Sequence, residues 1–181
     1  QGLGIGYKDK APVTVAGALP GERCTVNLIK QGKSIEGHLQ RIENPSESRV
    51  EPQCQYFGEC GGCQLQHLAH AQQIEHKAQQ LMFNLRKQQV NTIPELSPAI
   101  ESTPFSYRRK VRLAVDARNP KAQKLGFRQQ KGNKVIDITA CALMSETLAH
   151  CYGALRQLLT NANVLPYVGH ISLLDCEGKA H

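Results

Sequence analysis

The chain has no apolar run approaching the eighteen or so residues that a membrane span needs, so a helical integral membrane protein is excluded. It also lacks a secretory signal, an internal repeat and any low-complexity tract. No initiator Met opens it, so whatever stood before Gln1 or after His181 cannot be read. The opening Gly2-Leu3-Gly4-Ile5-Gly6 lacks the Gly-x-Gly-x-x-Gly spacing of a nucleotide cradle. No strand precedes it, and Lys8-Asp9-Lys10-Ala11-Pro12 makes a poor helix start, so it reads as a flexible loop. What is present is a globular composition. Of 181 residues, 40% are hydrophobic and 20% charged, enough for one or two domains with a real core.

Charge is present and unevenly placed. The net charge is +7, from 22 Lys and Arg against 15 Asp and Glu. Ten of those cations lie between Glu101 and Lys134, opposed only by Glu101 and Asp116, so this segment carries +8 and the remainder −1. A localised basic field favours a polyanionic partner. Seven cysteines, an odd number unevenly distributed and without a signal sequence, argue against a disulfide framework and for a reduced cytoplasmic protein.

Hydropathy patterning predicts two regions. Residues 1–51 contain short alternating runs (Val13 and Val15; Cys24, Val26 and Leu28; Ile35, Gly37, Leu39 and Arg41) broken by Leu19-Pro20-Gly21, Gln31-Gly32-Lys33 and Asn44-Pro45-Ser46. Arg49-Val50 could open a last short strand. Such a series suggests a small β-barrel, a class against which oligonucleotides often dock. Residues 52–181 read as an α+β domain. A cysteine-and-glycine loop leads it. A helix follows, because Leu65, Leu68, Ala71, Ile74, Ala78, Leu81 and Leu85 recur every three or four positions, and Asn91-Thr92-Ile93-Pro94 ends it. Strands are expected over 108–117, 124–130 and 134–138, with a turn at Asn119-Pro120-Lys121. A second helix spans 144–160, buried along Leu148, Tyr152, Leu155 and Leu159. A final strand, 168–174, follows Leu165-Pro166.

The sharpest motif is Cys54-x5-Cys60-Gly61-Gly62-Cys63. A Cys-x2-Cys step lets two thiolates converge, and paired glycines let the backbone wrap close. Three thiolates in ten residues plus a distant fourth, for which Cys141 is the candidate, is the ligand arithmetic of a cubane iron–sulfur cluster. Two other chemistries stay open. Zinc could use the three cysteines with Cys141, His67 or His70, although four-cysteine zinc sites usually show two Cys-x2-Cys pairs. Cys60 and Cys63 could be a redox dithiol, although no βαβ pattern surrounds them. Cys24, Cys151 and Cys176 suit core thiols, and His67, His70 and His76 read as solvated helix residues.

On a strand over 108–117, Arg108, Lys110 and Arg112 share one face while Arg109 joins Val111 and Leu113 on the other. Three cations in a row fit a phosphate track. Tyr107 and Phe127 offer stacking surfaces for unpaired bases, and Arg128 and Lys131 extend the field. A solvated strand face is the plain alternative for any one of them.

The run Cys-x5-Cys-Gly-Gly-Cys-x-Leu-Gln-His-Leu, preceded by Pro45-Ser46 and Arg49-Val50-x-Pro52-x-Cys54, resembles bacterial 23S ribosomal RNA 5-methyluridine methyltransferases. In the same comparison Gly17–Glu22 looks like a TRAM signature, and Tyr107-Arg108-x-Lys110 and Leu125-Gly126-Phe127-Arg128 look like RNA-facing strands. Cys141 matches the fourth cluster ligand. The resemblance implies an OB-like TRAM barrel, a central domain holding a [4Fe-4S] cluster on Cys54, Cys60, Cys63 and Cys141, and large-subunit ribosomal RNA as partner. It also implies S-adenosylmethionine as methyl donor in a further domain. No unit for that cofactor and no nucleophilic-cysteine segment is found in these 181 residues, so no catalytic residue is assigned, Cys151 and Cys176 included. A monomer without membrane contact is expected. The differing alternative is a stand-alone RNA-binding module with a structural metal.

Overall fold

A computed structural model describes residues 2–32, 34–90, 92, 95–119, 121–161 and 167–181. The expected turn positions Lys33 and Pro120, the helix stop at Asn91, Ile93 and Pro94, and the break at Leu165-Pro166 lie outside them. Among the described residues the protein is rich in sheet, with two helices and two open sheets. By contacts it divides into two compact units, Gln1–Pro52 with Gln64–Glu101, and Gln53–Cys63 with Ser102–His181.

In the first unit, β1 (Leu3–Lys8), β2 (Ala11–Ala16), β3 (Arg23–Gln31) and β4 (Ser34–Asn44) form one sheet in the order β1-β2-β4-β3. The pair β2–β4 is parallel and the others antiparallel. Among the described residues the sheet is open, with β1 and β3 as its edges. The glycine-rich opening is therefore a strand and not a flexible loop. Its hairpin turns on Asp9 and Lys10, both at positive φ (49° and 66°), the geometry of a two-residue type I′ turn. The β3–β4 register slips by one residue twice, which ends the simple alternation. Leu39 faces Val26, but Arg41 faces Thr25 and is exposed while Ile42 is half-buried. Arg49 makes an isolated bridge to Leu68 and no further strand.

Helix α1 (His70–Lys87) belongs to this unit. Leu65 and Leu68 precede it, and it contains no fully buried residue; Leu81 is 48% and Phe83 59% exposed. The apolar spacing specifies a helical face but not what covers it. The helix ends four residues before Asn91, in a Schellman arrangement. Gln89 takes a left-handed φ of 56°, its N–H donates to the Arg86 carbonyl, and the Val90 N–H donates to the Leu85 carbonyl. His67 is buried (2% exposed), which overturns its reading as a solvated helix residue. Burial, reinforced by the Arg49 charge, lowers its pKa and keeps the ring neutral.

In the second unit, β5 (Lys110–Asp116), β6 (Lys124–Arg128), β7 (Val135–Asp137), β8 (His170–Cys176) and β9 (Lys179–Ala180) form an antiparallel sheet in the order β7-β6-β5-β8-β9. Helix α2 (Glu146–Asn161) packs on one face through Leu148, Tyr152 and Leu159, against Val111, Leu113, Leu125 and Leu173. Ser145 caps α2. Its hydroxyl accepts from the Leu148 N–H at 3.3 Å and donates to Asp175 at 2.6 Å.

Candidate functional site

All four candidate cysteine ligands belong to the second unit, and none of the seven cysteines is in a disulfide. Cys54, Cys60, Cys63 and Cys141 are each half-buried. The loop 54–63 is turned on itself by the Phe57 N–H to the Cys54 carbonyl (2.9 Å) and the Cys60 N–H to the Tyr56 carbonyl (2.9 Å). It is then tied to two distant strand ends. The Tyr56 hydroxyl accepts the Thr139 N–H at 2.9 Å and pairs with the Thr139 hydroxyl at 2.9 Å, two residues before Cys141. Cys60 bridges Gln129, and the Gly61 N–H donates to the Arg128 carbonyl at 2.9 Å. A Cβ at Gly61 would stand 3.0 Å from that carbonyl oxygen, so a residue without one lets the backbones close.

Burial pushes the Cys60 thiol pKa up; the Gly62 N–H, 3.4 Å from its Sγ, works against this, and the neighbouring Cys63, Cys141 and Cys54 add to the rise. The four sulfurs thus share one electrostatic neighbourhood. Among the described residues, however, no three His, Cys, Asp or Glu side chains form a group that could hold a metal ion. A tetrahedral zinc site would draw thiolates to within about 4 Å of each other, given a Zn–S bond of about 2.3 Å. The donor chemistry is uniformly thiol, which suits iron–sulfur ligation, and His67 and His70 lie in the other unit.

The end of β7, four residues before Cys141, is braced by side chains of α2. The Tyr152 hydroxyl is shared between the Leu125 and Ile138 carbonyls at 3.0 and 2.7 Å. Arg156 reaches the Ile138 carbonyl at 2.6 Å and grips Asp137 at 2.7 and 3.0 Å. Burial alone would raise the Asp137 carboxyl. The Arg156 guanidinium and the Leu125 N–H overcome that and hold it below its ordinary value. Cys141 itself packs against the core.

The cationic residues are only partly brought together. Lys110 and Arg112 are exposed on one face of β5, opposite Leu174 and Ser172 of β8. The pairing Ala114↔Gly126 puts Arg128 on that same face, and its guanidinium donates to the Asn133 carbonyl at 3.0 Å. Arg108 is half-buried and bridges Met144 just before β5 begins. Arg109 is held 3.9 Å from the buried Asp175. Tyr107 is 46% exposed, and Lys131 is exposed in the turn after β6. Phe127 lies on the opposite face, half-buried against the core with Leu125 and Ile136, so it does not share the face of Lys110 and Arg112. Its neighbour Gly126 passes so close to the Ile136 carbonyl that any Cβ would strike it. Of the other thiols, Cys24 and Cys151 are half-buried, but Cys176 is exposed and is no core residue.

Sequence reasoning missed Tyr56, Arg156 and Asp175, whose partners are far away in the chain. No helix is long and apolar enough to cross a membrane among the described residues.

No family model matches the chain. Individual relatives do. A protein of Alteromonas mediterranea named 23S rRNA (uracil(1939)-C(5))-methyltransferase RlmD is 36% identical over 92% of this chain and 35% of its own length. Proteins of the same name from Colwellia psychrerythraea and Aliivibrio fischeri are 35% and 33% identical over 98% of this chain, and over 40% and 41% of their own lengths. The chain is homologous, over nearly all its residues, to the bacterial 23S rRNA uracil-C5 methyltransferases. It spans 35–41% of the length of these relatives.

Proposed function

We propose that the chain is the RNA-binding and [4Fe-4S]-bearing portion of a cytoplasmic, S-adenosylmethionine-dependent 23S rRNA uracil-C5 methyltransferase. The observation that carries this reading is the match to proteins of that name over more than nine tenths of the chain. In this reading residues 1–51 are an OB-like TRAM barrel, for which the four-stranded sheet is compatible scaffolding. Residues 52–181 are the central domain. Cys54, Cys60, Cys63 and Cys141 hold the cluster, whose contribution is a covalent tie between the loop and the strand end. S-adenosylmethionine is bound outside these 181 residues and supplies the methyl group; no residue here is assigned to it. The chain acts as a monomer.

The chain's own residues bind and orient ribosomal RNA. Lys110, Arg112 and Arg128 offer cations on one strand face, with Arg108, Lys131 and Tyr107 at its ends. Folded RNA is read through splayed single-stranded bases, and an enzyme that modifies uracil C5 needs such a base. Phe127, half-buried on the opposite face of β6, would meet RNA only from that side.

Two measurements test the reading. An anaerobic visible spectrum with metal and sulfide analysis should show broad brown absorbance and about four iron atoms per chain; one equivalent of zinc instead would overturn the cluster. Neutralising Arg108, Lys110 and Arg112 together should weaken RNA binding and reduce the slope of log K against log salt by about 2–3. An unchanged slope would remove these residues from the interface.

A further inference from the structure

Strand β6 has two different neighbours along one edge. Its pairing with β5 runs Asp116↔Lys124, Val115↔Leu125 and Ala114↔Gly126, and stops there. On the other edge β7 continues through Arg128↔Val135, followed by the Gln129 N–H to the Lys134 carbonyl at 2.8 Å. Past Gly126 the edge that β5 leaves is taken by the cysteine loop. Cys60 bridges Gln129 in antiparallel sense, the Arg128 carbonyl accepts the Gly61 N–H at 2.9 Å, and the Glu59 carbonyl accepts the Gln130 N–H at 3.0 Å. The loop therefore acts as a short edge strand for residues 128–130.

This seam lies directly beneath two of the cations proposed to meet RNA. Arg128 contributes its backbone carbonyl to the seam and its side chain to the exposed face, and its guanidinium is already turned onto Asn133 of the following turn. Lys131 is the next residue after Gln130. A short edge strand with few backbone hydrogen bonds is marginal by itself; it needs tethers at its ends. Those tethers are Tyr56 on Thr139 and, on the ligand reading above, the thiols on either side of Glu59–Gly61.

We infer that occupancy of the cysteine site controls RNA affinity, by fixing the loop that forms the outer edge of residues 128–130 and so positions Arg128 and Lys131. This rests on the cluster and RNA readings proposed above. With the site filled, the turn is held between two strands and presents its charges in one arrangement. With it empty, the loop leaves the edge, the turn loses one neighbour, and the two cations must be ordered at the expense of binding.

The test uses the full chain, prepared anaerobically with its iron content measured, and a synthetic RNA stem-loop with uridines in the loop as probe. Removing iron with a chelator should weaken binding about tenfold and lower the salt slope by about 1.4–1.8, the share of two phosphate contacts. In the Arg128→Ala, Lys131→Ala double variant, iron removal should change neither quantity. Gly61→Ala, whose Cβ presses on the Arg128 carbonyl, should show the same loss of affinity while keeping its iron, which keeps the inference testable if the iron-free chain unfolds. Equal affinity with and without iron overturns the inference. So does an iron effect that persists undiminished in the double variant, or Gly61→Ala binding RNA like the parent. A preparation that never contains iron overturns the cluster reading instead, and the two failures are distinct.

Discussion

At the scale of single residues, the most consequential side chain outside the site is Glu22. Its carboxylate has no exposed side-chain surface and accepts the Leu19 N–H at 2.7 Å, the Ser46 N–H at 3.0 Å and a two-pronged contact from Arg49 at 2.6 and 2.8 Å. The Arg49 guanidinium and the two amides outweigh burial and hold its pKa at about 2. A carboxyl whose folded pKa is depressed contributes stability that is complete above its ordinary value and disappears as pH falls toward the folded one. The first unit should therefore lose about 3 kcal/mol between about pH 5 and pH 2, measured by denaturant melts across that range. Glu22→Gln should abolish most of this pH dependence. At pH 7 it should cost about 3 kcal/mol, because Arg49 is left without its counter-charge. A variant that melts like the parent at neutral pH would contradict this.

Among the elements, the β1–β2 hairpin shows what local pattern conceals. Its turn residues Asp9 and Lys10 both sit at positive φ, where Lys10 pays a steric cost that glycine avoids. Lys10→Gly should raise the stability of the first unit by about 0.5–1 kcal/mol, read as a higher denaturation midpoint with unchanged slope. A loss of stability would mean that the turn is not strained. The absence of Asn-Gly or Asp-Gly is also why β1 was illegible as a strand, just as Gln89 in place of glycine hid the end of α1. By contrast, β5 and α2 were readable because their buried positions follow periods of 2 and 3.6. The parallel β2–β4 pairing and the open edges could not be read, because alternation identifies a strand but not its neighbour. The same limit applies at the site. The spacing of Cys54, Cys60 and Cys63 is local and legible, whereas Tyr56 meets Thr139 across 83 positions and leaves no periodic trace. The face of Phe127 depended on a β5–β6 register that only the folded chain specifies.

Across the whole molecule, Cys63 and Cys141 are separated by 78 positions, and their proposed shared cofactor would close that loop. Cys141→Ser should lower iron retention and reduce the melting temperature by several degrees, as expected when a long loop loses a covalent staple. Full iron content with an unchanged melting point would exclude Cys141 as a ligand. Both compact units are also assembled from interleaved stretches, since residues 53–63 join 102–181 while 64–101 join 1–52. This order has a consequence in time. As the ribosome delivers the chain, three thiols emerge well ahead of the strands that receive them. At about 5–20 residues per second, they wait about 4–16 s for Cys141. On the cluster reading proposed above, iron delivery would follow that interval, and the nascent loop would cross it uncovered.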